Sequence, residues 1–218
     1  MRTDKQLQED ILRALDFEPG VDSAKIGVSV KNGVVTLQGS ARSYFEKTTA
    51  ERVTRHVYGV RAVANDVAVT LDGVAPRTDS QVAEAIVNRL AWDSAIPLNA
   101  VTATVSNGWV TLNGTVDWQY QRTAAQRAIE HLLGVKAVTN AIVLKAHASP
   151  ADVKAKIESA FKRSAEIDSA RVKVETRDGQ VILTGTVKSL SERDEAERAA
   201  WAAPGVTRVD DRISVSPF

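Results

Sequence analysis

An α+β fold, written three times along the chain, is what this 218-residue sequence predicts. The first observation behind it is a repeat. With Thr3, Thr78 and Ser149 in register, Gly33, Gly108 and Gly179 each fall thirty residues later, at offsets of 75 and 71. Gly39, Gly114 and Gly185 follow, then Gly59, Gly134 and Gly205, each of the last three followed by valine. The second observation is apolar spacing that switches within every repeat from helical to strand-like. The third is an Asn-Gly or Asp-Gly pair between two alternating segments. Together they give tandem helix–strand–strand–helix–strand units, each a three-stranded sheet with two helices on one face. The units are expected at 1–72, 77–146 and 149–218.

Each unit opens on a helix N-cap. Thr3 with Gln6 and Thr78 with Gln81 form capping-box patterns, and Ser149 with Asp152 is a weaker variant. Leu7, Ile11 and Leu15, Val82, Ile86 and Leu90, and Val153, Ile157 and Phe161 place one apolar stripe on a helix of about thirteen residues. Period-two alternation follows at Ile26, Val28 and Val30, at Val101, Ala103 and Val105, and at Val172 and Val174. Asn32-Gly33, Asn107-Gly108 and Asp178-Gly179 suit a type I′ turn, because both residues tolerate positive φ. The next strand buries Val35 and Leu37, Val110 and Leu112, or Val181 and Leu183, and ends at the second glycine.

A second helix is expected over roughly 43–57, 118–132 and 189–203. Ser43 with Glu46 and Ser189 with Glu192 again have the capping-box spacing; Trp118 with Gln121 does not. The stripe is of small residues (Ala50, Val53 and Val57; Ala196, Ala199 and Ala203), which lets the helix lie close on the sheet. The glycine-valine pair then opens a last strand carrying Val63, Val67 and Val69, Val138, Ile142 and Leu144, or Val209, Ile213 and Val215. It should lie parallel beside the second strand, leaving the other sheet face free. Asn65, Asn140 and Asp211 are polar yet in phase with its buried residues, which points to a structural bond to their own backbone.

Units of about seventy residues are marginal alone, so neighbouring units should dock. Lys plus Arg is 28 and Asp plus Glu is 27, and no repeat is basic, which argues against nucleic acid as a partner. Without cysteine there is no disulfide framework or thiol chemistry. The charged N-terminus lacks a signal-peptide core and no run is long enough to span a membrane. The expectation is a cytoplasmic protein as written, or a periplasmic one if a leader has been removed. His56, His131 and His147 do not fall at ligand spacing, and no catalytic motif recurs across the repeats, so no metal site, cofactor or enzymatic activity is expected.

The middle repeat stands apart. It holds Trp92, Trp109, Trp118 and Tyr120 but only eleven charged residues, against twenty and twenty-four in its neighbours. Alternation puts Trp109 on the free sheet face, and Trp118 lies at the mouth of the second helix. Trp201 falls on the outer face of the last such helix, where it suggests either a docking face between units or chains, or a ring covered by a local loop. Tryptophan there suits a protein or membrane interface. The structural expectation, which the small size of the units favours, is that the first and third repeats cover these rings. Arg52, Arg55, Arg122 and Arg127 have acidic neighbours, as on a solvated face, or would meet anionic headgroups.

The segments Gly33-Val-Val-Thr-Leu-Gln-Gly39 with Gly59-Val-Arg-Ala-Val-Ala-Asn65, and their counterparts at 108–114 with 134–140 and 179–185 with 205–211, resemble the BON domain of bacterial osmotic-shock and nodulation proteins. The third copy departs by Asp211 in place of asparagine. The resemblance implies a non-enzymatic module of osmotic or envelope stress that binds a phospholipid surface or an envelope partner. It leaves two alternatives: a cytoplasmic potassium-binding sensor, or a holdase-like scaffold for protein partners.

Overall fold

The computed structural model describes residues 3–70, 77–145, 153–164 and 167–216. The first repeat runs α1 (Asp4–Phe17), β1 (Ile26–Lys31), β2 (Val34–Ala41), α2 (Tyr44–His56) and β3 (Ala62–Val69). The second runs α3 (Asp79–Trp92), β4 (Val101–Ser106), β5 (Trp109–Val116), α4 (Gln119–Glu130), β6 (Ala137–Asn140) and β7 (Val143–Leu144). The third runs α5 (Val153–Arg163), β8 (Val172–Arg177), β9 (Gln180–Val187), α6 (Leu190–Trp201) and β10 (Arg208–Val215). In every repeat the hairpin is antiparallel and the last strand lies parallel beside the middle one, as the spacing requires. In the middle repeat that last strand is interrupted between β6 and β7, but its register against β5 resumes unchanged.

Local chemistry explains the elements. Thr3 and Thr78 close complete capping boxes with Gln6 and Gln81. The cap expected at Ser149 and Asp152 lies outside the described residues, as does His147. Asn32 and Gly33, Asn107 and Gly108, and Asp178 and Gly179 all have positive φ, the type I′ signature. An unexpected contact holds two of these turns: Asp4 accepts from the Asn32 and Gly33 N–H groups, and Asp79 from those of Asn107 and Gly108. The first-turn acid of each helix thus grips the tip of its own hairpin. At the second glycine, a Cβ on Gly39 would lie 2.0 Å from the Lys25 carbonyl oxygen, and Gly114 and Gly185 meet Ala100 and Arg171 identically.

The second helices differ from expectation in one instructive way. Ser43 and Ser189 accept from the N–H groups of Glu46 and Glu192, but the carboxylates do not return to the cap residue. Glu46 instead accepts from the backbone N–H groups of Asp22 (2.8 Å) and Arg42 (2.7 Å). Glu192 does the same with Asp168 and Lys188, both at 2.9 Å. Both carboxylates are buried, and each ties the loop after the first helix to the end of the hairpin. In the middle repeat the residue equivalent to Asp22 is Pro97, which has no N–H to offer. The acceptor there is Gln121, whose Oε1 takes the N–H groups of Asp117 and Trp118.

Each repeat has its own core beneath its sheet, and the apolar stripes of the first helices are buried as predicted. Two packing details are corrected. On α2 the buried face is Thr49, Ala50 and Thr54, with Val53 and Val57 only partly covered; the Thr54 hydroxyl satisfies itself on the Ala50 carbonyl. On α6 it is Ala200 rather than Ala199 that is fully buried, one turn after the buried Ala196 and on the same face. The glycine-valine pair precedes the last strand instead of opening it, with Val60, Val135 and Val206 plugging the core from the turn.

The repeats dock through their second helices, and the contacts run in a cycle. Tyr44 packs on the core of the second repeat, and Phe45 stacks on His131 with ring centroids 4.1 Å apart. Leu190, the equivalent of Tyr44, is buried in the core of the first repeat. Beside it Asp194 pairs with Arg55 through both nitrogens, Nε at 3.2 Å. That hydrogen bond holds the guanidinium above its usual range, with desolvation opposing. Trp201 packs across from the third repeat onto the core of the second.

Two outcomes follow. Gly39→Ala should cost upwards of about 2 kcal/mol in urea unfolding, from a strained φ of +119° and the carbonyl contact, whereas Gly27→Ala, with nothing nearer than 3.8 Å, should stay within about 0.5 kcal/mol. Burial, aided by the charge of Glu130, pushes the Tyr44 hydroxyl above its ordinary value of 10.0, against a backbone hydrogen bond at Val138. Above that ordinary value the unfolded chain ionises first, so stability falls as pH rises through it. Tyr44→Phe should remove that part of the alkaline loss in melting curves recorded on either side of it.

Candidate functional site

Asparagine and its replacement at the last strand act structurally. Asn65, Asn140 and Asp211 each accept from the backbone N–H two residues on, at 3.3, 3.2 and 2.9 Å. The amides of Asn65 and Asn140 also donate to the Lys47 and Arg122 carbonyls. Asp211 has no donor, and the equivalent of Lys47 and Arg122 supplies one: Arg193 Nε lies 2.7 Å from Asp211 Oδ2. Glu197, whose counterparts Glu51 and Gln126 hold the asparagines, instead accepts from Trp201 Nε1 at 3.3 Å. One substitution in the last strand thereby orients the tryptophan of the docking helix.

The five aromatic candidates separate into two groups. Trp118, Tyr120 and Trp201 line a cleft of about 860 Å³ between α3 and α4 on one side and α6 on the other. Trp92 and Trp109 do not line it. Trp92 ends α3 and is 87% exposed, and Trp109 stands on the outer face of β5 at 64%. The expectation that the first and third repeats cover these rings is therefore corrected. The repeats meet through their second helices, on the other side of the sheets, and no described residue covers the strand face that carries Trp109, which is 64% exposed. Trp201 packs between units, while Trp118 and Tyr120 are exposed at the cleft mouth.

The cleft carries charge as well as rings. Arg89 Nε donates to the Ala128 carbonyl at 3.3 Å, and Asp93 accepts from the Ala95 N–H. Asp194 is held by Arg55 and Glu197 by Trp201. Arg127 projects from α4 with no ion pair or hydrogen bond among the described residues. Gln119, the equivalent of Tyr44 and Leu190, leaves its Oε1 buried on the same wall without a donor among the described residues. Sequence reading missed this grouping because Arg89, Gln119 and Arg127 carry no motif; the one signal was that residue 119 is polar where its two counterparts are large and apolar.

Among the described residues no cluster of histidine or acidic side chains is arranged to hold a metal ion, and no helix is long and apolar enough to cross a membrane. The nine turn glycines Gly33 to Gly205 all have positive φ and serve the backbone.

Osmotically-inducible protein Y of Escherichia coli strain K12 is 29% identical to this chain over 148 residues, which are 65% of this chain and 73% of that protein. Two solved structures of CdsD, a structural protein of the type III secretion system of Chlamydia trachomatis, align at 15% identity. One covers 97% of this chain and 93% of its own with a TM-score of 0.28. The other, of the C-terminal domain, covers 99% and 100% with a TM-score of 0.27. The BON domain signature matches residues 3–70, 78–146 and 149–217. By that threefold match, spanning nearly its whole length, the chain belongs to the BON domain family.

Proposed function

We propose that this chain is a non-catalytic binding protein of the osmotic- or envelope-stress type, and that its middle repeat recognises a phospholipid surface. Its family and the osmotically inducible relative support a stress-related binding role. The observation that carries the finer reading is where exposed apolar side chains lie. Of the large ones among the described residues, Leu12, Phe17, Val34 and Tyr58 belong to the first repeat and none to the third. All the others lie in the middle repeat, Trp92, Leu98, Trp109 and Val143 among them. Exposed apolar area gathered on one unit of a soluble protein marks an interaction surface, and tryptophan is the side chain best suited to the boundary between water and acyl chains.

The same repeat has the fewest charges, so insertion of rings outweighs attraction to headgroups in this reading. Titrating the full chain with phosphatidylcholine vesicles, with and without phosphatidylglycerol, should shift tryptophan emission to the blue, and high salt should leave most of the shift. A Trp92→Ala/Trp109→Ala variant should melt as the parent does and bind about tenfold more weakly, a loss of ~1.4 kcal/mol. An unchanged spectrum with every vesicle, or full binding by the double variant, would overturn the reading and leave a protein partner for that surface.

A further inference from the structure

The seam between the second and third repeats differs from the other two in a way that points to a ligand. At equivalent positions Tyr44 fills the seam between the first and second repeats, and Leu190 that between the third and first. The second-to-third seam has Gln119 there, with a buried oxygen that no donor among the described residues reaches, beside the cleft of about 860 Å³. A buried acceptor without a donor costs on the order of 1–3 kcal/mol, so this wall is the least well made of the three and the easiest to shift.

The same groove in the first repeat supplies a comparison. Between α1 and α2 it encloses about 410 Å³, and Arg52 there pairs with Glu18 at 3.3 Å. The equivalent residues of the second repeat are Arg127 and Asp93. Asp93 is one methylene shorter; it accepts from the Ala95 N–H as Glu18 does from that of Gly20, but it makes no pair with Arg127, which has no ion pair or hydrogen bond among the described residues. The cleft is thus about twice the size of its counterpart, walled by Trp118, Tyr120 and Trp201, and holds one guanidinium whose intramolecular acid has been withdrawn. The other carboxylates on its wall, Asp194 and Glu197, are engaged by Arg55 and Trp201.

We infer that this cleft binds a small amphipathic anion: an aromatic or apolar body held against the three rings, with a single carboxylate or phosphate bonded to Arg127. The volume lies in the range of small-ligand pockets, and a planar guanidinium is the side chain that best matches either anion. Arg89, with only its Nε engaged, stands ready as a second donor. The site is separate from the membrane-facing surface proposed above, since neither Trp92 nor Trp109 lines it.

Calorimetry on the full chain with 2-naphthoate and its neutral isostere 2-naphthamide tests this. Naphthoate should bind with one-to-one stoichiometry, about tenfold more tightly than the amide, as expected for one charge-assisted hydrogen bond. Arg127→Gln removes no hydrogen bond or ion pair among the described residues, so it should melt normally, lose that tenfold preference and bind the amide as before. Tyr120→Ala should weaken both compounds alike. The Trp92→Ala/Trp109→Ala variant should bind naphthoate unchanged, which keeps the outcome distinct from that of the vesicle experiment. Substituting 2-naphthyl phosphate separates the sources: tighter binding than naphthoate indicates a phosphate monoester headgroup, weaker binding a free acid. Absence of naphthoate binding, equal affinity of Arg127→Gln for naphthoate, or loss of binding in the Trp92/Trp109 variant would overturn the assignment.

Discussion

The position of each second helix rests on one buried acceptor at its third residue. Glu46 and Glu192 each gather two backbone N–H groups, one from the loop after the first helix and one from the end of the hairpin. Both also sit in the first turn of a helix, where the macrodipole favours negative charge. A carboxylate that far from water is tolerable only because both oxygens are satisfied. It fixes the start of the helix against the sheet, and the residues just before it (Tyr44 and Phe45, Leu190) are those that reach into the neighbouring repeat. Docking between units thus inherits its precision from a clamp inside each unit.

The middle repeat relaxes that clamp and everything downstream of it. Pro97 withdraws one donor, glutamine replaces glutamate, and Trp118 stands where serine caps the other two helices, offering no side-chain oxygen. The next two residues, Gln119 and Tyr120, face a cleft where their counterparts face a closed seam. The third repeat shows the opposite habit, compensation: Asp211 loses the donor of an asparagine and Arg193 restores it.

Much of this was legible along the chain. The type I′ turns, the capping boxes of α1 and α3 and the parallel last strand each follow from residues within one repeat, whose local propensities and periods agree with the final fold. The shared glycines could be assigned to turns for the same reason. The clamp was half legible: Ser43 with Glu46 has the spacing of a capping box, and only the three-dimensional path of the loop brings the Asp22 N–H closer than that of Ser43. The aromatic residues were found by composition, but their allocation was not readable. Whether Trp109 is covered depends on which faces of the units meet, and that is decided by a few contacts far apart in sequence, Arg55 with Asp194 and Trp201 with the second core. Arg127 was visible only as one helix-face arginine among several, because its character comes from an acid one methylene shorter than the glutamate that pairs with Arg52.

The cyclic docking has a consequence that concerns symmetry and covalent linkage together. Head-to-tail contacts between identical units close into a ring when the rotation allows, and a ring of three separate copies would use one interface three times. Any substitution that loosened that interface for a ligand would loosen it everywhere, and the assembly would fall apart at the concentration where binding began. Joining the copies in one polypeptide lifts that restriction. Tyr44 and Leu190 can seal two joints while position 119 is free to drift toward polarity at the third, because the chain itself prevents dissociation. Threefold repetition here gives the molecule one adjustable joint held open by two that cannot follow it.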